Sequence, residues 1–318
     1  MLALLIAGTA VGFGIGALVL RDSGSPSADA GASGNEPTAT PDATCATGSG
    51  DRQLQVGTSV NREPGETYEQ AWQRRVSNWG VEPDMARFFY RALPEGNWPK
   101  FGNAQVMASL KLPIVDGRAD VAGLLDGRYD QQLTSWFASM PRDGTPKYVA
   151  FWHEPEDDIA AGRLTAAEFR QSFEHVRALA AQFDGTHRNI NVGVMLMGFT
   201  ADPASGRDVS DYLPPGVSFV GWDIYPPASE NETWSRFALA AEAACDAGVP
   251  QWFLAETAIN SFEQPTQSDK AQWIPIAADA ACDLGYSGLL YFDSSVGGDF
   301  RLTSRETWQA MNAEIPGN

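Results

Sequence analysis

Two glutamates each close a short apolar run of the chain. Glu154 ends the run that begins at Tyr148, and Glu256 ends the run that begins at Trp252. Apolar runs of this length are typical of buried strands, and Pro155 cannot donate to a strand ladder. A carboxylate fixed at the end of a buried strand is costly for folding alone, so it suits a group that changes protonation during a reaction.

A pair of such carboxyl groups is what glycoside hydrolysis requires. One carboxyl protonates the leaving oxygen, while the other attacks the sugar or activates water, and a retaining enzyme holds the two about 5–5.5 Å apart. We expect desolvation by Trp152 and its neighbours to raise the pKa of Glu154. The acids that follow it, Glu156, Asp157 and Asp158, are interpreted as a solvated acidic turn.

The elements that must position these glutamates can be predicted from periodicity. Eight runs have the composition of strands: residues 54–60, 85–91, 104–110, 148–153, 190–197, 217–224, 252–255 and 288–292. Helical patterns occupy residues 67–79, 125–140, 165–183, 233–247, 268–284 and 303–313, and the links after the second and fifth strands carry no clear helix. The alternation predicts an α/β protein with a (β/α)₈ TIM barrel rather than a doubly wound sheet.

In such a barrel Glu154 ends the fourth strand and Glu256 the seventh, both at the C-terminal face where barrel enzymes place their sites. Strict alternation puts Trp152 on the interior side with Glu154, and Leu254 on the interior side with Glu256. His153 is nominally directed outward, but it is adjacent to Glu154 and could orient it or contact a sugar hydroxyl.

The cysteines suggest a repeat between neighbouring units. Glu256 follows Cys245 by the same number of residues as Asp293 follows Cys282, so superposition of the units would place Asp293 at the top of the eighth strand. A disulfide between the two cysteines would be expected in an exported protein. Equivalent positions on adjacent helices, however, lie about 8–10 Å apart, beyond the reach of a disulfide, so the alternative is a pair of buried thiols.

Further candidates for substrate binding lie near strand ends. Trp152 and Trp222 could stack on sugar faces, with packing in the core as the alternative. Arg91 ends the second strand and could reach the site or pair with an acid at the rim.

His153-Glu154 on the fourth strand and Glu256 on the seventh resemble the motifs of the clan A glycoside hydrolases, and most closely those of family 26, the β-mannanases and their relatives. The resemblance implies a retaining double displacement, with Glu154 as the acid/base and Glu256 as the nucleophile. The segment Gly221-Trp-Asp-Ile-Tyr225-Pro resembles the strand-six segment whose Tyr hydrogen-bonds the nucleophile. That likeness implies this role for Tyr225 and brings Asp223 to the substrate site.

The sequence departs from the family pattern at two places. Family 26 mannanases usually carry a Trp-rich segment after the acid/base, and this chain has Pro155 and a run of acids there. Tyr291-Phe-Asp293 stands in place of the strand-eight Trp, so we count Tyr291 and Asp293 as substrate-binding candidates.

The resemblance implies an endo-acting β-glycoside hydrolase of an extracellular polysaccharide, with β-mannan as the first guess. The alternative is a non-catalytic or degenerate barrel that binds glycan at the cell surface.

Composition divides the chain into three parts. Residues 1–21 are predicted to be a signal peptide or membrane anchor, because residues 2–20 carry no charge. Residues 22–51 are rich in Ser, Gly, Ala and Pro and are predicted to be a disordered linker. Residues 52–318 form the predicted catalytic domain. We therefore expect a secreted protein, or one tethered to the outer face of the cell membrane.

The charge balance disfavours nucleic acid as a partner, because 40 acidic residues against 22 basic ones give a formal net charge of −18. We expect a monomer that binds a polysaccharide, contacts a membrane only through its N-terminal segment and needs no cofactor. A zinc-dependent hydrolase is disfavoured, since His175 lies in a predicted helix and His187 precedes the fifth strand, at the face opposite His153. Calcium held by oxygen ligands alone stays open.

Overall fold

The structure, a computed structural model, describes residues 53–316 and is built on a closed barrel of eight parallel strands. The barrel strands are β1 (Gln55–Ser59), β2 (Met85–Phe89), β3 (Gln105–Leu110), β6 (Lys147–His153), β7 (Ile190–Met197), β8 (Val220–Ile224), β9 (Trp252–Thr257) and β10 (Gly288–Tyr291). Strand β1 pairs with both β2 and β10, which closes the barrel. Strands β4 (Ile114–Val115) and β5 (Arg118–Ala119) form a separate antiparallel hairpin. The predicted TIM barrel is confirmed.

The helices surround this barrel. They are α1 (Tyr68–Trp79), α2 (Val121–Leu125), α3 (Asp130–Ala138), α4 (Pro155–Ala160), α5 (Ala166–Ala181), α6 (Glu230–Asp246), α7 (Gln267–Asp283) and α8 (Arg305–Glu314). The helical pattern over residues 125–140, with its predicted break at Gly127, corresponds to α3 alone, since α2 ends at Leu125 and Gly127 has a φ of 79° that favours glycine. The short helix α4 was not predicted. The link after β7 holds three 3₁₀ turns, Gly198–Ala201, Pro203–Ser205 and Val209–Asp211, in agreement with the expected lack of a long helix.

Two apolar layers hold the barrel together. The interior is filled by Met85, Met107, Tyr148, Ala150, Met195, Phe219, Phe253, Ala255 and Leu290. A larger layer between the strands and the helices contains the fully buried side chains Trp72, Trp136, Trp152, Trp222 and Trp273. Because side chains fill the interior, a substrate can meet the barrel only at its end.

Strand β6 carries one extra residue immediately before its catalytic candidate. Ala150 pairs with Gly193, but His153 pairs with Met195, so three steps along β6 match two along β7. Such a bulge re-aims the side chains that follow it. His153 consequently faces the site, and the prediction that Trp152 faces the interior is wrong.

Strand β9 has the same irregularity. Trp222 pairs with Leu254 whereas Asp223 pairs with Glu256, so Ala255 is the extra residue relative to β8. The pairing with β10 shifts over the same residues of β9. As a result, Ala255 and Glu256 both face the interior side. Leu254 instead belongs to the layer between the strands and the helices, so the prediction that it faces the interior is wrong.

The cysteines follow neither of the two predicted arrangements. Cys245 is disulfide-bonded, and Cys282 is a free, exposed cysteine. They are therefore neither bridged to each other nor a pair of buried thiols. The predicted anchor at residues 1–21 and linker at residues 22–51 lie outside the described residues. Within residues 53–316, no helix has the length and apolar character needed to cross a bilayer.

Candidate active site

Three carboxyl groups face the imidazole of His153 at the C-terminal end of the barrel. Its Nε2 lies 3.5 Å from Oε2 of Glu154. Its Nδ1 lies 3.6 Å from Oε1 of Glu256 and 3.7 Å from Oδ2 of Asp223. The ends of β6, β8 and β9 supply these groups, so the bulges in β6 and β9 bring the two predicted catalytic glutamates to one space.

Glu154 is the carboxyl that solvent can reach, with 29% of its side chain exposed. It follows β6 directly and adopts a left-handed backbone conformation, with φ 50° and ψ 64°, at the start of α4. Burial raises its pKa to about 7, while the positive charge of Lys111 acts in the opposite direction. Glu154 is thus protonated at the acidic side of neutrality, as an acid catalyst must be.

Glu256 is almost enclosed, with 6% of its side chain exposed. The hydroxyl of Tyr225 donates to its Oε2 over 3.0 Å, and a guanidinium nitrogen of Arg87 lies 4.0 Å from its Oε1. Burial raises the pKa of Glu256 to about 8, whereas Arg87 and the Tyr225 hydroxyl favour the ionised form. The contact that the sequence resemblance implied for Tyr225 is present.

Asp223 is the most enclosed of the three acids, with 2% of its side chain exposed. Neither of its carboxyl oxygens accepts a hydrogen bond from the described part of the chain. Burial raises its pKa well above the usual range, and the adjacent charge of Glu256 adds to the effect. The protonated form of Asp223 is favoured for both reasons.

Arg87 is a site residue that sequence reasoning missed. Its side chain is fully buried in the barrel interior, where it donates to Ser109 Oγ over 2.9 Å and to the carbonyl oxygens of Phe88 and Met107 over 3.0 and 3.3 Å. A charged residue inside an apolar strand was the available signal. The prediction named Arg91 instead, which is exposed and makes no hydrogen bond or ion pair within residues 53–316.

Aromatic rings border the imidazole. The ring of Phe89 lies 5.4 Å from that of His153 and 6.4 Å from that of Phe292, and the guanidinium of Arg87 lies 4.2 Å from the Phe89 centroid. Neither phenylalanine was among the predicted site residues. Apolar rings beside the charged groups lower the local dielectric constant, which strengthens electrostatic interactions there.

Three predicted aromatic contacts are not at the site. Trp152, Trp222 and Tyr291 are fully buried and belong to the layer between the strands and the helices. The indole of Trp152 donates to Asp158 over 2.6 Å, and the ring of Tyr291 lies 6.4 Å from that of Trp273. Their exposed area is too small for stacking on a sugar, so these three residues pack in the core, as the alternative interpretation of the two tryptophans held.

Asp293 is also removed from the site. Because Tyr291 pairs with Thr257, Asp293 lies beyond the level of Glu256, and the two units do not superpose as predicted. Its carboxyl forms a buried ion pair with Arg75 over 3.2 Å and accepts from the amide of Leu302 over 2.9 Å. The contribution of Asp293 is therefore structural.

The site also offers atoms that could ligate a cation. Within the described residues, one ligand atom each from His153, Glu154 and Asp223 lie within 4.8 Å of one another. The imidazole, however, presents Nε2 to Glu154 and Nδ1 to Asp223. An ion bound to either nitrogen would have only one of these carboxyls directly beside it, which is a poor match to sites where several ligands converge.

No family model matches the sequence, and no curated protein matches it. Solved structures resemble its fold. A glucosidase from Croceicoccus marinus is 12% identical with a TM-score of 0.57, over 83% of this chain and 67% of that one. A modular endo-β-1,4-mannanase of glycoside hydrolase family 26 from Cellulomonas fimi is 15% identical with a TM-score of 0.53, over 83% and 73%. A family 128 endo-β-1,3-glucanase from Amycolatopsis mediterranei is 11% identical with a TM-score of 0.53, over 82% and 99%. At these identities the likeness is one of fold.

Proposed function

We propose that the chain is a retaining, endo-acting β-glycoside hydrolase. The observation that carries the proposal is the arrangement of Glu154 and Glu256 on opposite nitrogens of one imidazole, at the catalytic end of a parallel barrel. Solvent can reach the carboxyl of Glu154, whose pKa burial raises to about 7, and the carboxyl of Glu256 is enclosed beside a hydroxyl donor and a guanidinium. Two carboxyls with different environments are what a double displacement requires.

In the first step Glu154 donates its proton to the glycosidic oxygen while a carboxylate oxygen of Glu256 attacks the anomeric carbon. The bond to the leaving sugar breaks, and a glycosyl ester of Glu256 forms. In the second step Glu154, now ionised, takes a proton from water. The water oxygen attacks the anomeric carbon and Glu256 leaves as a carboxylate, so the configuration is retained.

Glu256 must be ionised for this chemistry, although burial opposes its charge. Asp223 lies beside it, and one proton shared by the pair removes their mutual repulsion. Tyr225 donates to Glu256 and Arg87 lies 4.0 Å from it, whereas no donor within residues 53–316 reaches Asp223, so we place the proton on Asp223 and the negative charge on Glu256.

The substrate we propose is a β-linked extracellular polysaccharide, with β-mannan as the first candidate. The His153-Glu154 motif supports mannan, and endo-acting enzymes on β-1,4-mannan and β-1,3-glucan are among the proteins of similar fold. A net charge of −18 suits a neutral polymer better than a polyanion.

Export through residues 1–21 would place the enzyme outside the cell. Protease added to intact cells should then remove the domain, and protection until lysis would contradict export.

The decisive experiment compares Glu256→Ala and Glu154→Ala on a polysaccharide panel and on aryl glycosides with activated leaving groups. We expect Glu256→Ala to abolish turnover on every substrate. Glu154→Ala should still form the glycosyl-enzyme from activated aryl glycosides, and added azide should restore turnover with retained configuration. A product of inverted configuration would indicate that the roles are reversed, with Glu154 as the nucleophile and Glu256 as the acid/base. Full activity of both variants would contradict the mechanism, and glycan binding without hydrolysis by the wild type would favour a binding protein.

A further inference from the structure

Glu156 is a buried carboxyl that the proposed reaction does not use. Its exposed fraction is 1%, although it lies two residues after Glu154 in a run of acids that composition alone assigns to a solvated turn. Its Oε1 accepts from the amide of Met197 over 3.0 Å and from the hydroxyl of Thr200 over 2.7 Å. Both donors belong to the end of β7 and the turn that follows it.

The backbone of Glu154 requires such support. A φ of 50° is left-handed, and this conformation is sterically unfavourable for a non-glycine residue. The amide of Glu154 donates to the carbonyl oxygen of Met195 over 3.0 Å, which fixes the residue to β7 on one side. Only Pro155 separates it from Glu156, whose contacts fix the chain to β7 again on the other side.

We propose that Glu156 is a positioning residue, which holds the left-handed turn of Glu154 against β7 and so directs the catalytic proton at the glycosidic oxygen. The assignment rests on the proposed function, because it gives Glu156 a task only if Glu154 is the acid/base. Pro155 has no amide hydrogen, so the carboxyl of Glu156 supplies the connection to Met197 and Thr200 at this point.

A loosened turn should affect the reaction selectively. Misplacement of a catalytic group by about 1 Å can cost on the order of 100-fold in rate. The cost falls on bonds that need a proton from Glu154 to break. An aryl glycoside whose phenolate leaves unaided does not need that proton, and its glycosylation step, reported by kcat/KM, should be nearly unaffected.

The test measures kcat/KM of Glu156→Ala, Glu156→Gln and Thr200→Val on the polysaccharide and on an activated aryl glycoside of the same sugar. We expect Glu156→Ala to lose roughly 10- to 100-fold on the polysaccharide and less than about 3-fold on the aryl glycoside. Glu156→Gln keeps the acceptor oxygen and should restore polysaccharide hydrolysis to within about 3-fold of wild type. Thr200→Val preserves shape but removes one donor, so it should show a weaker form of the same selectivity.

Glu174→Ala is the control, because it removes a carboxyl from an exposed ion pair with Arg177 on α5 and should leave both activities unchanged. Equal losses of Glu156→Ala and Thr200→Val on the two substrates would overturn the proposal, since they would indicate general damage. Unchanged activity of both variants would overturn it as well. If Glu156→Ala does not fold, Thr200→Val and Glu156→Gln still decide the question. Failure of the hydrolase itself is recognised separately, by wild-type inactivity or by full activity of Glu154→Ala.

Discussion

Asp223 and Glu256 stand side by side on neighbouring strands, paired in register where β9 bulges. Both side chains are enclosed, and no hydrogen-bond donor within residues 53–316 reaches either oxygen of Asp223. Two buried carboxylates that lie beside the same imidazole nitrogen cannot both ionise without a large cost, so the pair titrates as a unit. A proton on Asp223 removes the repulsion that its carboxylate would exert on Glu256, the proposed nucleophile.

Asp223→Asn tests the location of the shared proton. Asparagine imitates the protonated carboxyl, so we expect the acidic limb of the kcat/KM profile to remain within about half a pH unit of wild type. The measurement is a pH profile on an activated aryl glycoside. If Asp223 were charged in the working enzyme, its removal would relieve Glu256 and move the limb down by more than about one unit.

Lys111→Met tests the charge that opposes the raised pKa of Glu154. The ammonium of Lys111 lies 3.2 Å from Asp158, and its positive charge favours ionised Glu154. Because Glu154 is the proposed acid, its ionisation should set the basic limb of the kcat/KM profile. Without Lys111 the limb should move to higher pH by up to about one unit. Lys111→Arg keeps the charge and should keep the limb, and a downward shift in Lys111→Met would contradict this account.

The barrel and the placement of the two candidate glutamates at one end of it were predictable because they depend on coarse features. Eight apolar runs alternating with helical patterns define the fold, and Glu154 and Glu256 were found because each closes such a run. Neither inference needs to know which face of the strand a residue occupies. The carboxyl ends of parallel strands meet at one end of a barrel in any register.

The orientations were not predictable because two bulges decide them. One extra residue in β6 and one in β9 leave no trace in composition, yet they turn His153 and Glu256 to the site. Glu156 was misjudged for a different reason. Its neighbours Met197 and Thr200 are more than forty residues away in sequence, and only tertiary packing creates its buried contacts.

Asp293→Asn tests the structural assignment of a residue first placed in the site. Its partner Arg75 is 2% exposed and Asp293 is 7% exposed, so the substitution leaves a buried cation unpaired. We expect a loss of about 3–5 kcal/mol in the free energy of unfolding, measured with urea. Activity per folded molecule should stay within about twofold of wild type. Asp299→Asn breaks the exposed Arg301–Asp299 pair as a control and should cost less than about 1 kcal/mol.

Glu156→Gln should change how stability depends on pH, in a direction that its raised pKa determines. Burial raises the pKa of Glu156 from 4.5 to about 7, so the folded protein favours the protonated carboxyl. The stability that protonation of Glu156 contributes to the folded protein is fully present below pH 4.5 and is lost as the pH rises through 7. The pKa shift corresponds to about 3 kcal/mol of unfolding free energy, which the wild type loses as Glu156 ionises. Glutamine is always neutral, so the variant does not undergo this loss.

The measurement is urea unfolding of wild type and Glu156→Gln at pH 5 and pH 8. We expect the stability of the variant relative to wild type to increase by up to about 3 kcal/mol between the two pH values. Glu66→Gln is the control that should show almost no pH dependence here, because a hydrogen bond from Arg74 lowers the pKa of Glu66 from 4.5 to about 2 and its contribution to stability is nearly constant above 4.5. Its relative stability should not rise at pH 8. An equal difference between wild type and Glu156→Gln at both pH values would show that Glu156 is not protonated on folding.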